Sequence, residues 1–266
     1  MWAILSDIHG NLEALEAVLA DADGRRVERI LCLGDLVGYG PNPRECIDLV
    51  RSRCAVTLLG ACDQAALFDP EAFSPFVLRS ILLARAQIEE GGAPEGVRRR
   101  QFLAALPRTY HEHNLLFVHG TPRNPLSEYL YPEHVHEPRK MEPSFALIGH
   151  YCFAGHTHVP GVFIDQAVCV DPRSGTARPV TLDRLWSFHS PEEIDHVYRL
   201  DERKALINVG SVGQPRDDDP RACYVLLAND RVHFRRVGYD VETTVRKIYA
   251  VAELENVYGD RLRQGR

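Results

Sequence analysis

The stretch Trp2-Ala3-Ile4-Leu5-Ser6-Asp7-Ile8-His9-Gly10-Asn11 decides how the rest of this 266-residue chain is read. It opens as a short apolar run and ends in a polar turn. Asn11 is placed to cap a helix, because Leu12, Leu15, Val18, Leu19 and Ala22 follow at helical spacing. The unit is strand, turn, helix, with an aspartate and a histidine set in the turn.

The same pattern returns downstream. An apolar run over 29 to 33 leads into Gly34-Asp35-Leu36-Val37-Gly38-Tyr39-Gly40-Pro41-Asn42-Pro43 and then a helix-like stretch over 45 to 50. A third strand, 55 to 59, enters Gly60-Ala61-Cys62-Asp63 and another helical stretch. Alternation of this kind implies right-handed crossovers and a mainly parallel sheet in the first half, hence an α/β fold. Residues 74 to 106 read as two helices separated at Gly91-Gly92-Ala93-Pro94. Strands are expected over 114 to 118, 151 to 154, 161 to 164, 205 to 209, 222 to 228 and 232 to 237, the last two joined by an Ala228-Asn229-Asp230-Arg231 hairpin turn. One final helix is expected over 241 to 257, and residues 123 to 143 and 170 to 195 read as loops or peripheral additions.

Composition narrows the function. With 45% hydrophobic and 26% charged residues, the chain is expected to bury one substantial core as a single domain over 1 to 266. The N-terminus lacks a basic lead with a long apolar run, and no apolar stretch reaches the length of a membrane span, so a soluble, cytoplasmic protein is expected. Seven cysteines without a C-x-x-C pair argue against both a disulfide framework and a structural zinc knuckle. A net charge of -6, without a basic stripe, disfavours generic nucleic-acid binding, although metals can reverse the field locally for an anionic substrate. The oligomeric state is not legible.

Aspartates and histidines gather where the strands end. Asp7 and His9 follow the first, Asp35 the second, His119 the run over 114 to 118, and His156 with His158 the run over 151 to 154. Ligands collect at the carboxyl ends of parallel strands, so residues far apart in sequence can converge there. Imidazole with carboxylate suits zinc, manganese, iron or nickel. Each element alone has a plainer reading as a solvated turn, a helix start or a core histidine. It is their joint placement that points to a metal centre.

Taken in order, Asp7-Ile8-His9-Gly10-Asn11, Gly34-Asp35-Leu36-Val37-Gly38, Gly60-Ala61-Cys62-Asp63, Val118-His119-Gly120 and Gly155-His156-Thr157-His158 resemble the five successive motifs of calcineurin-like metallophosphoesterases. The later Asn208-Val209-Gly210-Ser211-Val212-Gly213-Gln214-Pro215-Arg216 resembles the loop after these motifs in a bacterial phosphodiesterase-like branch. The resemblance implies a double β-sheet sandwich flanked by helices, with two divalent metal ions at its mouth. It assigns Asp7, His9 and His158 to one metal, Asp35 to a bridge, and His119 with His156 to the other. A metal-bridging hydroxide would then attack phosphorus in line.

The third motif departs from the family's pattern. It usually carries asparagine at the position of Ala61, and in many relatives a histidine at that of Cys62. Ala61 offers no amide oxygen to the second metal. Cys62 and Asp63 are the motif's candidate catalytic residues: Cys62 reads as a weak donor, as a ligand or as a small buried side chain, and Asp63 as the residue that orients the segment. Arg123 and Arg216 are candidate contacts to a substrate phosphate. Without the histidine donor, phosphodiester hydrolysis is expected over monoester hydrolysis. Two alternatives stand beside it: a protein-phosphatase-like or dinucleoside polyphosphate hydrolase, and a metal-binding scaffold with little turnover.

Overall fold

The structure is a computed structural model that describes every residue except 69, 71, 72, 91, 92 and 167–185. Two six-stranded mixed sheets lie face to face. The first runs β3 (Val56–Thr57), β2 (Arg29–Cys32), β1 (Trp2–Leu5), β11 (Ala222–Ala228), β12 (Arg231–Val237), β9 (Val197–Arg199). The second runs β4 (Thr109–Glu112), β5 (Leu115–Val118), β6 (Tyr151–Ala154), β10 (Ala205–Asn208), β7 (Gly161–Asp165), β8 (Trp186–His189). Each sheet contains one parallel triplet, β1-β2-β3 in the first and β5-β6-β10 in the second.

Side-chain alternation along the strands sorts the chain into layers. Ile4 of β1 and Phe117 of β5 turn inward and pack with Val225, Phe153 and Ile207 in the core between the sheets. Their neighbours Ala3 and Leu5 turn outward under α1 (Leu12–Gly24), α2 (Pro43–Arg53), α4 (Pro75–Glu89) and α5 (Ala93–Ala104). Leu116 and Val118 turn outward under α6 (Pro138–Ala146), which supplies Met141 and Phe145. The short α3 (Ala61–Leu67) starts at the third motif. The sandwich flanked by helices is therefore the observed fold.

The carboxyl ends of both parallel triplets meet at one rim, and the loops beyond them interlock. Asp7 N and His9 N donate to Gly34 O and Asp35 O at 3.0 and 2.9 Å. Gly155 N donates to His119 O at 2.9 Å, and Gly213 N donates to Asp7 O at 2.9 Å. His156 N donates to Asp7 Oδ2 at 2.9 Å and so ties one sheet to the other. Gly155 is required at this crossing: a Cβ there would stand 2.1 Å from Ser6 Oγ and 2.5 Å from Asp7 Oδ2.

Several sequence expectations need correction. The C-terminal segment is two helices, α7 (Val241–Ala250) and α8 (Asn256–Gln264). Folding back lets Tyr258 and Leu262 bury against Val245 and Ile248. A single straight helix would carry those pairs roughly 20 Å apart at 1.5 Å per residue. Residues 123 to 143 hold a short 3-10 helix, Pro132–His136, and most of α6 rather than loop alone. Of the stretch 170 to 195, residues 170–185 lie outside the described residues, while 186 to 195 include β8 and a further 3-10 turn. Gly91 and Gly92 of the expected interhelical break also lie outside. β4 and β9 were not anticipated, for both are edge strands, and the polar, half-exposed Thr-Tyr-His-Glu of β4 shows no buried face. Among the described residues, no helix is long and apolar enough to cross a membrane.

Candidate metal centre

The six residues expected from the sequence as metal ligands converge at the rim, all 5% exposed or less. His9 Nε2 lies 3.1 Å from His158 Nε2, and His158 Nε2 lies 3.3 Å from Asp7 Oδ1. On the other side, His119 Nε2 lies 2.9 Å from His156 Nδ1. Asp35 Oδ2 stands between the groups, 3.4 Å from His119 Nε2 and 3.7 Å from His9 Nε2. Asp7, Asp35, His119 and His156 offer ligand atoms within 4.8 Å of one another, as do Asp7, His9 and His158.

The rings are held from behind. His9 Nδ1 donates to Val37 O at 3.0 Å, His119 Nδ1 to Leu33 O at 3.1 Å and His158 Nδ1 to Gln214 O at 2.6 Å. A carbonyl only accepts, so in each neutral ring Nε2 carries a lone pair aimed at the centre. This is how supporting carbonyls prepare imidazoles to bind metal.

The backbone is also unusual here. Asp7, His9, Asp35, His156 and His158 all have positive φ, from 48° to 70°. Non-glycine residues rarely occupy this region, and when held there they cluster at functional sites. Loop interlocking over-determines the conformation, which is what lets such strain persist.

Burial and mutual charge shift these groups. Burial opposes ionisation of Asp7, but the imidazoles beside it, His158 first, outweigh it and hold the carboxyl well below its usual range. Asp35 is likewise depressed against its burial, chiefly by His119. Burial disfavours charge on His119 too, yet Asp35 and Asp7 raise it to about 9. Burial, then the neighbouring cations His119 and Arg216 respectively, lower His156 to about 3 and His158 to about 4. Positive charge is thus favoured on His119 and disfavoured on His156 and His158.

The third motif takes a supporting place. Asp63 is fully buried, and its carboxylate accepts from Leu36 N at 2.9 Å, Val37 N at 3.2 Å and Gly60 N at 3.1 Å. It fixes the Asp35 loop and caps α3. Cys62 N donates to Asp35 Oδ1 at 2.8 Å, while burial and the carboxylates of Asp35, Asp63 and Asp7 push the Cys62 thiol up. Ala61 lines the same pocket, which encloses about 190 Å³.

The two arginines part company. Arg216 lines the pocket beside His9, Asp35 and His158; it lies 5.7 Å from the Tyr39 ring centre and donates to Gln214 Oε1 at 2.7 Å. Arg123 lies in a neighbouring cleft, where its guanidinium pairs with Glu128 at 3.0 Å. Tyr39, Phe73 and Tyr129 also line the pocket and were missed in the sequence. Tyr39 lies within the glycine-rich turn and shows no signal beyond its aromatic character. Tyr129 belongs to the stretch read as loop.

Residues 3–160 match the model of the calcineurin-like phosphoesterase family. The chain belongs to this family. As a calcineurin-like phosphoesterase it is similar, at 32% identity over 100% of this chain and 98% of the other, to an uncharacterized protein of Methanocaldococcus jannaschii. A crystal structure of a metallophosphoesterase from Sphaerobacter thermophilus matches at 35% identity and a TM-score of 0.78, covering 100% of this chain and 99% of that one. A hypothetical protein from Pyrococcus horikoshii shares the fold at 18% identity and a TM-score of 0.72, with 100% and 99% covered. The buried Asp and His clusters of this calcineurin-like phosphoesterase suit the divalent metals that such proteins generally bind.

Proposed function

We propose that this calcineurin-like phosphoesterase hydrolyses phosphodiesters at a two-metal centre, with Asp7, His9 and His158 around one ion, His119 and His156 around the other, and Asp35 shared. The reading is carried by His9 and His158: two lone pairs confront each other at 3.1 Å beside Asp7 Oδ1, a buried oxygen without a hydrogen-bond partner. Such a set fits a divalent cation, because the neutral rings of His9 and His158 each give their one proton to a carbonyl and keep a lone pair for the centre. Mn, Fe, Zn or Ni suits the donors. When bound, two divalent ions lower the pKa of water and neutralise phosphate.

The chain's own residues then do the rest. Arg216 offers its guanidinium to a phosphate oxygen in the same pocket. Asp63 holds Asp35 in place through the loop backbone. A thiol such as Cys62 is a weak donor, and burial pushes Tyr129 up to about 12. With weak acids such as Cys62 and Tyr129 among the described residues that line the pocket, leaving groups that need no proton are favoured, as in aryl or nucleoside diesters. A scaffold that binds metal without turnover is the second reading, and Ala61 is the observation that favours it.

The test is turnover of an aryl phosphodiester by metal-loaded protein, with bound metal measured alongside. Asp35→Asn is expected to lower kcat/KM by at least about a hundredfold with the fold intact, since a shared anionic oxygen has no equal in an amide. Unchanged turnover at full metal occupancy would defeat the two-metal assignment, and absence of turnover in the loaded wild type would favour the scaffold.

A further inference from the structure

Beside the metal pocket lies a second hollow of about 510 Å³. Ala61, Phe73, Tyr129 and His156 line both, so the two spaces share a wall. Ala65 and Leu126 extend the hollow, and among the described residues none that lines it is a lysine or arginine. Arg216 lines the metal pocket alone. A guanidinium thus stands where a phosphate belongs, and the described lining of the adjoining space is a mixture of aromatic, aliphatic and neutral polar side chains.

The hollow also contains a fixed aromatic platform. The Tyr129 ring lies parallel to His156, with centres 3.9 Å apart and planes at 14°. Tyr131 lies nearly parallel to Tyr129 at 5.7 Å and 8°. Stacking on both partners holds Tyr129, although the residue is 42% exposed. Ala61 is the smallest feature of the shared wall. A longer side chain there would take space from both.

We infer that this hollow receives the organic group of the substrate and that this group carries a flat aromatic ring. The inference rests on the metal cluster being the site of phosphoester hydrolysis. Aromatic rings gain by packing against held aromatic and aliphatic walls, and pockets of this composition bind such groups. The ring can belong to a simple aryl ester or to a nucleoside; the shared chemistry is a planar ring close to the phosphate.

Phosphonates with a P–C bond separate binding from turnover. Calorimetry on metal-loaded protein would compare the monomethyl esters of methylphosphonate, phenylphosphonate and the carbon-linked 5′-phosphonate of adenosine, which keep the single charge of a diester. At least one ring-bearing ligand is expected to bind about tenfold or more tighter than methylphosphonate, through the apolar area it buries. A preference confined to phenylphosphonate marks an aryl ester, and one confined to the adenosine compound marks a nucleoside. In Leu126→Ala the preference is expected to shrink by about threefold or more. If methylphosphonate binds and neither ring improves on it, the aromatic subsite is overturned while the metal site stands. If no phosphonate binds the loaded protein, the underlying reading falls with it. The wild-type ratio decides even if Leu126→Ala does not fold.

Discussion

The imidazoles of His9 and His158 face each other through their Nε2 atoms at 3.1 Å while Val37 O and Gln214 O hold their opposite nitrogens. Neither ring can relieve the contact by switching tautomer without losing its carbonyl partner. A divalent cation between them relieves it at once. Binding to the folded state alone should then stabilise the protein by about 2.7 kcal/mol at a hundredfold excess over Kd. For a chain of this size that corresponds to a Tm rise of roughly 5 to 10 °C. Thermal unfolding with and without Mn²⁺ after chelation checks it, and an unchanged Tm would speak against a metal at this pair.

Ala61 should make the two ions unequal. On the proposed assignment, the cluster of Asp35, His119 and His156 has Ala61 where an amide oxygen would add a ligand, whereas Asp7, His9 and His158 keep their full set. Ala61→Asn is expected to tighten the weaker site by about tenfold, within the range by which a single metal-site partner changes affinity. Metal titration followed by elemental analysis reads the change. Two equally tight sites in the wild type would contradict it.

Much of this candidate centre was legible in the sequence because its Asp and His residues sit at the ends of apolar strands. Asp7, Asp35, His119 and His156 each follow a run that period and composition mark as strand, and one parallel rim gathers them. What stayed hidden depends on tertiary placement. Tyr129 acquires meaning only by stacking on His156, and Arg123 looked as promising as Arg216 until Glu128 was seen to engage it. The break between α7 and α8 was equally obscure, since Val251 and Leu254 continue an apolar pattern that only packing interrupts.

Gly155→Ala tests the crossing between the sheets. The added methyl meets Ser6 Oγ and Asp7 Oδ2 well inside contact distance, so either the carboxylate or the His156 loop must move. Overpacking of this kind costs about 1–3 kcal/mol. Because Asp7 is displaced, metal affinity is expected to fall together with Tm, which a purely structural glycine would not require. Calorimetry of metal binding to the variant separates the two outcomes.

Acid sensitivity can be followed at Asp21, away from the centre. Its carboxylate accepts from Arg25 Nε at 2.9 Å and Tyr224 OH at 2.6 Å. Burial opposes its ionisation, but these hydrogen bonds prevail and lower its pKa below 3.8. A carboxyl depressed on folding adds stability above its unfolded pKa and loses it as pH falls through the folded value. Asp21→Asn should therefore cost about 0.5–1 kcal/mol at neutral pH, discounted for partial exposure, and less under strong acid. A difference from wild type that stays constant from pH 7 down to pH 2 would refute the linkage.

The bond from His156 N to Asp7 Oδ2 makes the rim a clasp between two halves that are packed in the middle by apolar side chains and tied at the far end by Arg29 and Glu112. Apolar layers can slide, whereas a clasp of polar bonds is shut or open. Loss of metal should consequently loosen one end of the molecule and leave the far end shut. Hydrogen exchange would record this as a gradient of protection along the strands, shallowest at Leu5, Val118 and Ala154. The protein would then be a hinged book whose lock is also its working part.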